Sequence, residues 1–225
     1  MTSLIVRAFA GLLFVLLVMG ALLFFTAGTL DYRQAWFYLA VFSASASAIT
    51  AYLVRKDPTL LERRVRGGPV AEKAPIQRIA STIASIGFVA IFVLSGLDHR
   101  RQWSIVPLPA VIAGYALFLV GWTIVFLVFK ENSFSSATIE LAADQRVVST
   151  GPYAVVRHPM YSGSLLYVLG SPLALGSWWG LLGILLMAPA IVWRLLDEER
   201  FLGQRLPGYA EYSNSVKNRL VPFIW

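Results

Sequence analysis

The chain has 225 residues, 57% hydrophobic and 14% charged, and a mean hydropathy of +0.67. A soluble domain carries roughly a quarter charged residues, and here the apolar residues lie in long blocks, so the composition reads as an all-α, polytopic transmembrane protein. The formal charge of +7 sits in short loops between those blocks, a pattern of topology and headgroup contact rather than nucleic-acid binding. There is no cysteine, which excludes disulfides, thiolate nucleophiles and Cys-ligated metals. His99 and His158 are the two histidines and fall on different loops, so no His-rich metal site is available within one chain.

Residues 4–26 form the first apolar block. It exceeds the ~7–15 residues of a signal-peptide core and fits the ~20 needed to span, so it reads as a retained transmembrane helix. After a polar turn at 28–34, residues 35–54 form a second span, opened by the aromatic anchor Trp36, Phe37 and Tyr38. Residues 55–75 are a basic loop holding Arg55, Lys56, Arg63, Arg64, Arg66 and Lys73 against Asp57, Glu62 and Glu72. It is a topology signal or a contact for an anionic headgroup, and Gly67-Gly68-Pro69 interrupts any helix there. Residues 76–97 and 107–129 are the third and fourth spans. Asp98-His99 between them reads as polar surface.

With the N-terminus inside, the outer loops hold only Arg33, Arg100 and Arg101, leaving sixteen of the nineteen basic residues inside. That asymmetry places the N-terminus, the 55–75 loop, the 130–158 segment and the C-terminus in the cytoplasm. Within 130–158, Asn132, Ser133, Ser135, Ser136 and Thr138 are loop residues or hydrogen-bonding groups of a site. Residues 160–176 and 178–196, joined by Gly176-Ser177 and interrupted by Pro172 and Pro189, predict a C-terminal helical hairpin. A polar tail follows, helical near 207–217. The expectation is one membrane domain, 1–225. Residues 1–130 make a four-helix scaffold, and 131–225 supply a cofactor-binding loop, the hairpin and the tail.

The polar chemistry concentrates at 149–202. Pro159 suits a first helical turn, which puts His158 at a helix start whose free N–H groups favour a carboxylate. Tyr161 lies one turn along, and Gly163 leaves space beside the helix for a bound molecule. Arg194 and Glu198, spaced i, i+4, share a face of the returning arm. Each alone reads as an interfacial cap. Together, imidazole, phenol, guanidinium and carboxylate converge on one membrane-proximal site. The segment has no nucleophile elbow, P-loop or HExxH motif.

Gly151-Pro152-Tyr153 followed by Arg157-His158-Pro159-Met160-Tyr161-Ser162-Gly163 resembles the G-x-Y…R-H-P-x-Y-x-G motif of integral-membrane methyltransferases, whose type member is isoprenylcysteine carboxyl methyltransferase and whose relatives include phospholipid methyltransferases. Glu198-Glu199-x-x-Leu202 with Tyr209 and Tyr212 is similar to that family's C-terminal pattern. The resemblance covers about residues 138–222. The segment Leu206-Pro207-Gly208-Tyr209 is one residue shorter than the family's usual form. The resemblance implies S-adenosylmethionine as cofactor on the cytosolic side, held by Gln145, Arg146, Val147, Val148, Tyr153, His158, Pro159, Met160, Tyr161, Gly163 and Glu198. It also implies Arg194 near the methyl acceptor. An amine acceptor would need a proton acceptor, for which Glu199 or water is the candidate; a carboxylate or thiolate would not.

These readings predict a membrane methyltransferase acting on a lipophilic acceptor that enters from the bilayer. The nearest type is isoprenylcysteine carboxyl O-methylation, with a phospholipid N-methyltransferase or small-thiol S-methyltransferase as alternatives. A sterol-type NADPH reductase and a non-catalytic lipid-binding scaffold using the 55–66 loop are the rivals. No metal and no nucleic acid are expected, and the oligomeric state is left open.

Overall fold

The computed structural model describes residues 2–67, 69–72, 74–139, 141–142 and 144–225. Lys73 and Gly68, named above in the basic loop, lie outside the described residues. Eight α-helices follow one another: α1 (Thr2–Ala27), α2 (Arg33–Lys56), α3 (Pro58–Val65), α4 (Pro75–Arg101), α5 (Leu108–Glu131), α6 (Pro159–Ala174), α7 (Leu182–Arg205) and α8 (Tyr209–Ser215). No strand occurs among the described residues. Among the described residues, five helical segments are long and apolar enough to cross a membrane: α1, α2, α4, α5 and Trp179–Arg205. The 16 residues of α6 rise only about 24 Å at 1.5 Å each, short of a ~30 Å hydrocarbon core.

The predicted hairpin differs from the structure in how its arms pack. α6 runs along α5 and α7 along α4, with little contact between α6 and α7 themselves. Glycines decide the pairing, because helices approach closely where side chains are absent. A Cβ on Gly121 would lie 2.5 Å from the Gly163 carbonyl oxygen, and one on Gly114 2.6 Å from the Ala174 nitrogen. The α4–α7 seam repeats this: a Cβ on Gly87 would come within 2.8 Å of the Gly183 oxygen. Around these seams Tyr38, Phe42, Phe92, Phe118 and Leu175 form the core, with Trp122 and Tyr167 against it.

At the end bearing Arg33, Arg100 and Arg101, Asp98 is buried and not polar surface as expected. It accepts from the Ser104 amide at 2.9 Å, from the Ser104 hydroxyl and from the Ser177 hydroxyl at 2.6 Å. Tyr32 donates to the Leu175 carbonyl at 2.6 Å and stacks on His99 at 3.9 Å. This knot ties the α6–α7 turn to α2 and α4, so the opposite ends of α6 and α7 are held in register around the site.

At that opposite end, α3 replaces part of the predicted loop. Asp57 caps it by accepting from the Leu60 amide at 2.9 Å, Pro58 occupies its first turn, and Leu60 and Leu61 are buried among residues of α1, α2 and α5. Past its end, the backbone at Gly67 runs so close to Ala137 that a Cβ would overlap the Ala137 methyl. The 132–139 segment is therefore pressed against α3.

Candidate active site

A cavity of about 260 Å3 opens where α3, the 132–148 segment, the starts of α6 and α8, and the last turns of α7 meet. Small-molecule sites run from about 300 to 1,000 Å3, so this one is compact. Gln145, Arg146, Val147, Val148, Tyr153, His158, Pro159, Met160, Tyr161, Arg194 and Glu198 all line it. The sequence-predicted set is thus brought together, except for Gly163 and Glu199. Asn132, Ser135, Ser136 and Thr138 also face it, whereas Ser133 does not.

Three consecutive acids on α7 point to three different neighbours, as a 100° step per residue requires. Asp197 accepts from the Gln77 amide on α4. Glu198 accepts from the Tyr161 hydroxyl at 2.7 Å, and its other oxygen meets no donor among the described residues. Glu199 turns away: it pairs with Arg157 at 3.0 Å, His158 at 3.2 Å and Arg219 at 2.9 Å. Glu199, the candidate proton acceptor, is therefore a clamp for the C-terminal tail. The same tail is fixed by the Arg157 and His158 amides, which donate to the Asn218 and Arg219 carbonyls.

Gly163 is corrected too. A Cβ there would sit 2.8 Å from the Gly121 oxygen, so the space beside it belongs to α5 and not to a ligand. Arg194 lies on the wall, but all five of its N–H donors are engaged. Nε donates to Tyr161 at 3.1 Å, Nη1 to Gln77 at 3.1 Å and Ser81 at 2.7 Å, and Nη2 to the Ala137 carbonyl at 3.2 Å. Nη2 also pairs with buried Glu72 at 2.6 Å. Arg194 thus orients Tyr161, which orients Glu198; the i, i+4 face expected from sequence exists, bridged by a phenol from α6.

Several features fit a polar, zwitterionic ligand. The Tyr209 hydroxyl is buried, without a partner among the described residues, and Tyr209 lies on the wall. The backbone of Arg146, Val147 and Val148 makes no hydrogen bond among the described residues, which leaves extended donors and acceptors for a ligand. Tyr153 accepts from the Asn132 amide at 2.9 Å and Tyr212 donates to its carbonyl at 2.8 Å. Burial pushes the Tyr153 phenol up to about 12, with the Asn132 hydrogen bond opposing, so it is a neutral donor and stacking surface at physiological pH. Sequence reasoning read Arg64 within a topology loop and left Arg157 without a role. Nothing in the periodicity places either on this wall.

Residues 109–207 match a family model described as phospholipid methyltransferase. A domain of that family is therefore present, and it contributes α5, α6, α7 and most of the cavity wall. The cobalt-zinc-cadmium resistance protein CzcN of Cupriavidus metallidurans is 31% identical over 138 residues, 56% of this chain and 56% of that protein. The match thus spans little more than half the length of that relative. Among the described residues no group of three or more His, Asp or Glu is placed to hold a metal ion.

Proposed function

We propose, from the premise that residues 109–207 are a phospholipid-methyltransferase-family domain, that this chain is an integral-membrane S-adenosylmethionine-dependent methyltransferase. Its leading acceptor is the amine of a phospholipid headgroup, ahead of an isoprenylcysteine-like carboxylate. One observation carries the reading: the family-matched segment supplies most of the wall of a cavity on which Glu198 keeps an oxygen unengaged among the described residues, together with the unbonded backbone of 146–148 and Tyr209. Glu198 would meet the cofactor's ammonium or ribose hydroxyls, and Tyr153 and Tyr161 would offer aromatic faces to adenine or sulfonium. His158, Pro159 and Met160 set the start of α6 against it.

When bound, the cofactor supplies an activated methyl: the acceptor lone pair forms the new bond as the carbon–sulfur bond breaks and its electrons stay on sulfur. The protein's part is alignment and exclusion of water. Arg194 is a positioning residue, holding Tyr161 and through it Glu198. An amine acceptor also sheds a proton. With Glu199 bound into the tail clamp, Glu198 is the one carboxylate on the described wall, so that proton passes to Glu198 or to water. The cavity end faces the cytoplasm, since it carries sixteen of the nineteen basic residues. The relative's role in metal resistance is not carried over.

Calorimetry on the purified protein with S-adenosylmethionine and S-adenosylhomocysteine tests this. Micromolar binding of both is expected and should vanish in Glu198→Ala. Labelled methyl should then appear in phosphatidylethanolamine. Label in a prenylcysteine acceptor instead would move the assignment to the carboxylate, and no binding of either cofactor form would refute the methyltransferase.

A further inference from the structure

Four arginines line the cavity: Arg64, Arg146, Arg157 and Arg194. The charge of three is accounted for. Arg194 has its donors filled and pairs with Glu72, Arg157 pairs with Glu199, and Arg146 is exposed to water. Arg64 differs. It is partly buried, donates once, from Nη1 to the Ser136 carbonyl at 3.0 Å, and lies 5.1 Å from the Phe129 ring. It has no carboxylate partner among the described residues. Four of its five donors are therefore unmatched among the described residues. Its charged neighbourhood adds Arg194, of like sign, and burial pulls its pKa below the usual arginine value.

A guanidinium drawn out of water without an anion is costly. Topology does not require it, because Arg55, Lys56 and Arg66 of the same region are exposed and carry that signal. Packing does not either: α3 is held by Leu60 and Leu61, and neighbouring Arg63 already ties it to the Ser133 carbonyl at 3.1 Å. What a cation with a free planar fork suits is a carboxylate or a phosphate.

Arg64 is also the one described wall residue that precedes residue 109, outside the family-matched segment. Tyr209 and Tyr212 also reach the wall from beyond that segment, but as neutral phenols; Arg64 alone brings an unpaired cation from outside it, which suits an anionic group of the methyl acceptor. α3 rests on α1 and α2 beside the ends of membrane-length helices, the depth of lipid headgroups. We infer that Arg64 binds an oxyanion of the methyl acceptor, which in a phospholipid acceptor is the headgroup phosphate. This rests on the methyltransferase reading above and names the acceptor group that its cavity recognises.

The test uses the full-length protein in detergent and three probes: dihexanoyl-phosphatidylethanolamine, octylamine and inorganic phosphate, with S-adenosylhomocysteine affinity measured in parallel. Arg64→Gln should weaken phosphatidylethanolamine binding at least tenfold, leave octylamine unchanged and leave S-adenosylhomocysteine within twofold. Competition by inorganic phosphate in the wild type would show that the isolated anion suffices. Its failure to compete, with the Arg64 dependence intact, would show that phosphate is read as part of the lipid; both support the assignment. Should Arg64→Gln melt early, Arg64→Lys carries the test, since it keeps the charge and loses the fork, and binding three- to tenfold weaker is expected. Unchanged phosphatidylethanolamine affinity in Arg64→Lys or Arg64→Gln overturns the inference. So does an equal loss in Arg63→Gln, or a loss of S-adenosylhomocysteine binding in step with the lipid, which would assign Arg64 to the cofactor. Arg64-dependent lipid binding in a wild type that binds no S-adenosylhomocysteine would uphold Arg64 and sink the methyltransferase.

Discussion

Glu198 and Glu199 are adjacent and chemically identical, yet their environments predict opposite phenotypes. Glu198→Gln removes a charged acceptor from the cavity. Hydrogen bonds to charged groups contribute about 1.5–3 kcal/mol, so S-adenosylhomocysteine affinity should fall roughly 10- to 100-fold with little change in melting temperature. Glu199→Gln instead leaves Arg157, His158 and Arg219 short of an anion. Breaking a fully buried pair costs about 3–5 kcal/mol. With Arg219 about a third exposed (32%), a loss nearer ~1–3 kcal/mol is expected, read as earlier melting and faster proteolysis of the tail. The glutamate pair was visible in the sequence as a motif, but their division of labour was not. It depends on the rotation of α7 against a tail that returns through Asn218 and Arg219, a contact with no local signature. Tyr153 supplies a pH test. Its folded pKa, raised by burial to about 12, exceeds the unfolded value of about 10. Its contribution to stability is therefore complete below pH ~10 and is lost as pH rises towards 12. The buried phenols of Tyr209 and Tyr212 are raised as well and add to that slope. Melting temperature should drop over this window, and Tyr153→Phe should make the drop shallower.

At the scale of elements, the glycine seams explain why the last two long helices choose α5 and α4 over each other. Gly163→Ala adds a methyl 2.8 Å from the Gly121 oxygen and 3.1 Å from Ile124, where neither backbone nor a packed branched side chain gives way easily. Overpacking of this kind costs about 1–3 kcal/mol, so the variant should melt earlier while the folded fraction still binds S-adenosylhomocysteine. Loss of binding without loss of stability would restore Gly163 to the ligand wall. Gly11→Ala, which meets nothing within 4 Å, is the matched control and should be neutral or slightly stabilising through helix propensity. Element positions were legible from hydropathy: expected spans at 4–26, 35–54 and 76–97 fall inside α1, α2 and α4, and that at 107–129 begins one residue ahead of α5. Helix pairing was not, because an apolar stripe does not specify which apolar stripe it meets, and the glycines that decide it are single residues or pairs seven apart, such as Gly114 and Gly121, on separate helices. α3 was missed for a related reason. Its eight residues carry too few apolar positions to stand out from a basic loop, and its contacts are with α1, α2 and α5.

For the whole molecule, the two ends of the bundle differ in chemistry. One end gathers the cavity, the tail clamp and most of the basic charge; the other holds the Asp98 knot with Arg33, Arg100 and Arg101. Transfer of a basic loop across a bilayer is disfavoured, so the charge asymmetry predicts the cavity end on the cytoplasmic side, the side the proposed reaction requires. The chain has no cysteine, so a single introduced thiol reports side without background. Asp31, exposed beside the knot, and Asn214, exposed on α8 beside the cavity, are suitable places. In sealed cells a membrane-impermeant maleimide should label Asp31→Cys and spare Asn214→Cys, and both should react once the membrane is opened. The reverse pattern would turn the molecule over and place the cavity away from the cytosolic cofactor pool. It would then weigh against the methyltransferase reading even if every residue on the wall behaved as expected, because the wall's chemistry and the side it faces are independent requirements for the same reaction.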